Sequence, residues 1–356
     1  MRQSLIYIGL IFLFLFSCHP KNVTTLENHF LPKTYVAYHI DEPIQIDGEQ
    51  ESIWHQAPWS ETFIDIEGIK KPHYETQVKM LWNQNALYIL AKLKEPHLWA
   101  TLKQRDTVIF YNNDFEVFID PDGDTHNYME LELNAFNTVW DLFLNKPYLN
   151  KNKVDNQWNI KGLQSAVSYQ GTLNDPSDID QSWQLEMALP WKDLMRGNDG
   201  DTIPENQYWR INFSRVNWEF DLKNNRYYRK KDSTGAFLPE YNWVWSPQGV
   251  INMHLPEYWG FVYFSDTPSK QRFEPPQDTA LILWMYAQFR EAATREKEQL
   301  PEIKMPKAKF FGETIQIEKI IENDTLYWTT FNPHNQSTYQ IRYDGKLRVK
   351  KGGVSN

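Results

Sequence analysis

The sequence holds a single cysteine, Cys18, among 356 residues, which leaves no second thiol for an internal disulfide. It also lacks an excess of positive charge. Its 37 Lys and Arg against 46 Asp and Glu give a formal net charge of -9, and the pI is near 5.5. Nucleic-acid binding is therefore not expected, because phosphate neutralisation needs clustered positive charge. No apolar run reaches the roughly 20 residues of a membrane-spanning helix. Neither a GxSxG nucleophile elbow, an HExxH zinc motif nor a P-loop occurs, and no solenoid-type repeat is evident.

What is there begins with Met1-Arg2 and an apolar run from Leu5 to Phe16, ending in Leu15-Phe16-Ser17-Cys18. The run has the length of a secretory signal core. The Leu-x-Ser-Cys ending resembles the bacterial lipoprotein signal, which implies cleavage after residue 17 and lipidation of Cys18; an ordinary signal peptide with an incidental cysteine is the alternative. The expected location is the cell envelope, with a lipid anchor in the outer membrane. No acidic run follows Cys18, which points to the periplasmic face. Residues 18–34 are polar and read as a tether.

The mature chain is long for one sandwich, so a main domain over 35–266 and an appendage over 267–356 are expected. The 15 Trp, 19 Tyr and 20 Phe suit an all-β chain, since aromatics favour strands, and they also suit stacking on sugar rings. Ile44 to Ile46 reads as a short strand into a turn at Asp47-Gly48. Val78–Trp82 and Ala86–Leu93, separated by Asn83-Gln84-Asn85, read as a hairpin. Period-two alternation then places Phe115, Val117 and Ile119 on one face of a strand with Glu116 opposite. It likewise places Met129, Leu131 and Leu133 on a core face, with Glu130, Glu132 and Asn134 opposite. Trp183 to Leu189 repeats the design until Pro190 stops it. The alternation of Trp209, Ile211 and Phe213, followed by Ser214-Arg215 and then Val216, suggests a β-bulge. Residues 220–241 read as a solvated loop or an anion site, and Trp243 and Trp245 as core or platform. The fold class is all-β, a jelly-roll-like sandwich. Its appendage combines an amphipathic helix over 278–298 with strands at 315–321, 327–331 and 339–343 and a hairpin turn at Asp344-Gly345.

Several of these segments occur in an order and spacing that resembles family 9 carbohydrate-binding modules. They are Asp47-Gly48-Glu49 with Trp54, Val78–Trp82, Ala86–Ala91, Asp114–Asp120, Arg215-Val216-Asn217, Trp245-Ser246-Pro247 and Trp259-Gly260. The resemblance implies a non-catalytic sandwich that holds an oligosaccharide or polysaccharide between two aromatic platforms, and it implies bound calcium. Carried over by position, the polar readers are Glu116, Asn134, Arg215 and Asn217. Glu132 stands where the family has an arginine, and the platforms fall at Phe110 or Tyr111 and near Met253-His254.

Carboxylates accept hydrogen bonds from hydroxyls and Asn or Arg donate them, so this set has the chemistry a sugar needs. A solvated sheet face with internal ion pairs is the plain alternative. Asp120, Asp122 and Asp124 concentrate hard oxygen donors in a turn and are candidate calcium ligands; metal-free turn formation is the alternative. No cofactor is required. Two further functional readings stay open: glycoside cleavage by a pair among Asp114, Glu116, Glu130 and Glu132, and an assembly lipoprotein that holds a protein partner.

Overall fold

The computed structural model describes residues 31–150, 152–195, 202–267, 272–298 and 305–352. Cys18 and the signal segment lie outside the described residues. No helix among the described residues is long and apolar enough to cross a membrane.

The main domain runs through β1 (Thr34–His39), β2 (Ile64–Asp65), β3 (Thr76–Trp82), β4 (Ala86–Lys94), β5 (Asp114–Asp120), β6 (Tyr128–Asn134), β7 (Val139–Leu144) and β8 (Val154–Asp155). It continues through β9 (Gln164–Gln170), β10 (Ser182–Pro190), the short helix α1 (Trp191–Leu194), β11 (Tyr208–Asn217), β12 (Phe220–Lys223), β13 (Arg226–Arg229), β14 (Tyr241–Val244) and β15 (Gly260–Ser265). Thirteen of these strands form one hydrogen-bonded sheet in the order β8-β7-β6-β5-β11-β15-β1-β3-β4-β10-β9, with β14 and β2 branching from β11.

The sheet closes on itself as a sandwich because its two halves each carry one apolar face. Phe115, Val117, Ile119, Met129, Leu131 and Leu133 from one half share a core with Val78, Met80, Ile89, Leu185 and Met187 from the other. The expected hairpin at Asn83 is present, with Trp82 opposite Leu87. Ile44 to Ile46 is not a strand. That segment crosses the outer face of β3, β4 and β10, where Ile44 and Trp54 pack on Leu81 and Leu90. Trp243 and Trp245 are both buried in the core. Gly260 is required where it stands, since a Cβ there would lie 2.2 Å from the Trp245 ring.

The bulge expected at Ser214-Arg215 does not occur. β11 pairs with β5 in unbroken register from Arg210↔Asp120 to Val216↔Asp114. Arg215 therefore continues the inward series of Trp209, Ile211 and Phe213, while Val216 points to the opposite face and packs with Trp99, Trp218 and Tyr227. The β12–β13 ribbon replaces the solvated loop expected over 220–241.

The appendage is α2 (Thr279–Lys297) with β16 (Lys307–Phe310), β17 (Glu313–Gln316), β18 (Glu318–Glu322), β19 (Thr325–Asn332), β20 (Ser337–Arg342) and β21 (Leu347–Lys351). The stripe of Leu281, Trp284, Met285 and Phe289 is covered by Phe310, Ile315, Trp328, Tyr339 and Ile341, as helical spacing requires. The Asp344-Gly345 turn does join β20 to β21, with Ile341 opposite Leu347. That turn also docks on the sandwich: the Tyr286 and Thr125 hydroxyls both donate to the Gly345 carbonyl, at 3.0 and 3.1 Å.

Candidate functional site

The outer face of β5 and β6 is where sequence alternation collects acids. Glu116 stands opposite Glu132 and Phe118 opposite Glu130, and on the next strand Trp140 stands opposite Glu132. This face is not solvated. Every residue of β5 and β6 is buried, because β14 and the segment after it fold over the sheet and pack Val244, Met253 and Trp259 against Phe118 and Tyr128.

Between sheet and cover lies a cavity of about 360 Å³. Glu116, Glu130 and Glu132 form its acidic wall, and Phe110, Phe118, Trp140 and Tyr148 supply rings. Asn242, Met253 and His254 close it from the covering segment. Each side chain has a local reason for its place. The backbone N–H of Phe110 donates to Glu132 Oε2 at 2.9 Å, which fixes the short 3₁₀ turn of residues 109–111 over the acids. His254 Nδ1 lies 2.9 Å from the Tyr128 hydroxyl, and the ring meets Tyr148 edge-on at 4.3 Å.

The electrostatics are one-sided. Burial pushes Glu116 up to about 7, with Glu240 adding to the rise and the Ser214 hydroxyl opposing it. Asp114, Glu130 and Glu132 are raised well above the usual carboxylate range, first by burial and then by the charge of neighbouring acids, Glu116 among them in each case. Burial lowers His254 to about 3, so its imidazole is neutral near pH 7. No Lys or Arg lines the cavity among the described residues.

The structure thus brings together Phe110, Glu116, Glu132 and His254. It does not bring the remaining candidates there. Arg215 points to the opposite side of the sheet, 1% exposed, with Nη2 2.8 Å from Glu95 Oε2 and 3.0 Å from Asn217 Oδ1. Its guanidinium also lies 5.0 Å from the Trp243 ring centre. Asn217 lines a second, smaller cavity of about 190 Å³ with Glu95, Asn113 and Tyr241. Asn134 is fully buried and shapes a turn: its Oδ1 accepts from the N–H groups of Phe136 and Thr138, and its Nδ2 donates to the Leu102 carbonyl. Tyr111 is 47% exposed and outside the cavity, with the Arg229 guanidinium 4.6 Å from its ring centre.

Asp120, Asp122 and Asp124 do converge, each offering an oxygen within 4.8 Å of the others. Asp120 accepts from the N–H groups of Gly123 and Thr125, and the Lys346 ammonium lies 2.7 Å from Asp124. This turn is part of the seat on which the appendage docks. Trp140 could have been found from the sequence, since it shares a face with Glu132 one strand on. Tyr148 and Met253 reach the cavity from outside the strands and carry no periodic signal, and Asn242 comes from the short β14.

Residues 46–205 match the family model described as carbohydrate family 9 binding domain-like, less than half of the chain. The sandwich carries a family 9-like carbohydrate-binding domain. Phe110, Glu116, Glu130, Glu132, Trp140 and Tyr148 lie inside the family 9-like stretch, whereas Asn242 and His254 lie beyond it. Among solved structures, a family 9 module from Caldicellulosiruptor kristjanssonii in complex with cellotriose is similar at 15% identity and a TM-score of 0.42. That match covers 68% of this chain and 99% of that one. A candidate carbohydrate-binding protein from Bacteroides uniformis is similar at 15% identity and a TM-score of 0.47, over 65% of this chain and 99% of that one. No curated protein matches the chain.

Proposed function

We propose that the protein is a non-catalytic, saccharide-capturing component of the cell envelope, and that the cavity between β5, β6 and the covering segment is its binding site. The observation that carries this reading is the joining of rings and hydrogen-bond acceptors in one cavity of about 360 Å³ inside the family 9-like domain. That volume lies within the range of small-ligand sites. Rings such as Phe110 and Trp140 offer apolar planes to the C–H face of a sugar, and Glu116, Glu130 and Glu132 accept from its hydroxyls. Titration with a panel of neutral oligosaccharides tests it. Glu116→Ala should weaken binding by about 10-fold to over 100-fold, the worth of a hydrogen bond to a charged group. Glu116→Gln, which keeps one acceptor, should cost less. Unchanged affinity in Glu116→Ala with an unchanged melting temperature would remove the site from this cavity.

Glycoside cleavage is the second reading, favoured by the rise of Glu116 to about 7, a value suited to a general acid. Against it, the acids stand side by side on one sheet face, whereas hydrolysis needs two carboxyls that flank the bond. Release of nitrophenol from a panel of nitrophenyl glycosides would establish it.

The proposal extends to the ends of the chain and to one turn. Lipidation at Cys18 would tether the domain to the outer membrane facing the periplasm; Cys18→Ser should then leave the membrane fraction, and protease shaving of intact cells should spare the wild type. A structural calcium at Asp120, Asp122 and Asp124 would fit their oxygen donors. It would have to share Asp124 with the Lys346 ammonium, and a calcium-dependent rise in melting temperature that Asp122→Asn removes is its test.

A further inference from the structure

Three carboxylate clusters occur among the described residues: Asp47, Glu51 and Glu186; Asp120, Asp122 and Asp124; and Asp114, Glu116 and Glu132. The first two sit among donors from the protein itself, although Glu51 Oε2 has no partner. Glu186 accepts from the N–H groups of Asp47 and Gly48 and from Trp54 Nε1 at 2.8 Å. The Asp120 turn is answered by backbone N–H groups and by a primary ammonium, Lys346 Nζ.

The third cluster is different. Its three acids are all buried. Glu132 receives the Phe110 N–H at one oxygen, and Asp114 receives the Val216 N–H at Oδ1 at 3.4 Å. Asp114 Oδ2 has no partner. A second observation, outside the triad, points the same way: Glu130 lines the same cavity, is 5% exposed, and its Oε2 also has no partner. An unpaired buried carboxylate costs several kcal/mol, so burial makes these acids keep their protons until positive charge or strong donors arrive to answer them.

We propose that this cavity selects saccharides bearing a free, protonated amine, with the ammonium seated on Glu116, Glu130 and Glu132, the acids that line it. The inference rests on the saccharide reading of the cavity and names its substrate class. Three features of the site suit an ammonium. Glu116 and Glu132 face the cavity with oxygens within 4.8 Å of one another and of the buried Asp114 behind them, a grouping of acceptors suited to N–H donors that reach them at about 2.7–2.9 Å. Phe110, Trp140 and Tyr148 wall the same cavity, and aromatic faces attract cations. The protein uses this same pairing at its other acidic turn, where Lys346 supplies the ammonium. The N-acetyl group of an acetylated sugar brings one N–H and no charge, so it cannot answer the three acids of the wall.

The test is calorimetric titration of the whole protein with glucosamine oligomers and with their N-acetylated counterparts of equal length. The free-amine oligomer should bind about 10-fold tighter or more, a difference of about 1.4 kcal/mol. The gap should narrow in Glu132→Gln and in Asp114→Asn, and it should narrow as salt is added, since only the charged ligand is screened. Both replacements keep the side-chain shape and remove charge repulsion, so melting temperatures at or above wild type confirm folded variants. Equal binding of the two oligomers overturns the amine selectivity and leaves saccharide binding standing. Failure of both of them, and of neutral oligosaccharides, overturns saccharide binding itself. A melting temperature that rises with calcium chloride in the wild type but not in Asp114→Asn would make the triad a metal site and overturn the proposal.

Discussion

Arg290 on α2 grips Glu257 of the sandwich in a two-pronged ion pair, with Nη2 2.8 Å from Oε2 and Nε on Oε1. The Glu257 side chain is 1% exposed, and the Arg290 side chain 18%. Arg210, also buried, donates to the Glu257 backbone carbonyl rather than to its carboxylate. Removing Arg290 therefore strands a buried charge. Arg290→Ala should cost about 3–5 kcal/mol, read as a fall in the denaturant midpoint. The double replacement Arg290→Met with Glu257→Gln should recover most of that loss. A loss under about 1 kcal/mol in Arg290→Ala would mean that solvent reaches the pair and screens it.

Much of the fold was legible because strand alternation is a local signal. The inward series on β5 and β6 and both expected hairpins follow from residues a few positions apart. The error at Arg215 has a specific cause. A charged residue on the inward parity reads as an interruption of the alternation, which is the local signature of a bulge. The partner that makes its burial tolerable, Glu95, lies 120 residues earlier and leaves no mark on the local pattern. The same holds for the acidic face. Alternation put Glu116, Glu130 and Glu132 together, but their burial depends on the segment around Met253 and Trp259, which only the folded chain brings over them. Phe110 and His254 were found through family position, not through periodicity.

The pH dependence of stability should carry two opposed contributions from this cavity. Glu116 is raised to about 7 from 4.5, so the folded state holds its proton where the unfolded chain has lost it. Its stabilising contribution is present below pH 4.5 and is lost as pH rises to about 7. His254 is lowered to about 3 from 6.5, so the unfolded chain takes up a proton that the folded state refuses. Its contribution is present above pH 6.5 and is lost as pH falls towards 3. The groups around it are Tyr128 and Tyr148 at contact distance, with Glu116, Glu130 and Glu132 across the cavity. Chemical denaturation at steps from pH 4 to 8 should show Glu116→Gln gaining stability relative to wild type as pH rises, and His254→Gln gaining as pH falls. A pH-independent difference in either variant would show that the group titrates in the folded state as it does in the unfolded chain.

The sign of the cavity also predicts which sugars it refuses. Glu116 ionises above about 7 and no Lys or Arg among the described residues lines the cavity, so above that pH an anionic sugar meets like charge in a site with little water to screen it. An oligomer of uronic acid should bind at least about 10-fold more weakly than the neutral oligomer of the same linkage, as expected from a like-charge penalty of a kcal/mol or more. Glu132→Gln should narrow the difference. Competition titration above the ionisation of Glu116 at about 7 measures it directly, and equal affinity there would mean that the wall carries no charge the ligand meets.

Stacking should depend on Phe110 and not on its neighbour. Sequence position allowed either Phe110 or Tyr111 as the platform, but only Phe110 lines the cavity. Tyr111 is turned outward, with Arg229 held between it, Trp218 and Phe237 at 4.6, 4.6 and 4.0 Å from the ring centres. Phe110→Ala removes a ring while leaving the backbone N–H that donates to Glu132, so the acidic wall should keep its geometry. The loss should reflect the apolar area alone, about 1.5–3 kcal/mol for a ring fully covered by ligand, or roughly 10-fold to over 100-fold in affinity. Phe110→Leu should fall between wild type and Phe110→Ala, because it keeps apolar volume but not a flat face. Tyr111→Ala should leave affinity within about 3-fold while loosening the β12–β13 ribbon, a change of well under 1 kcal/mol in binding. If Tyr111→Ala instead costs more than Phe110→Ala in the same titration, the ligand lies outside the cavity on the exposed rings, and the site moves to the Arg229 cluster.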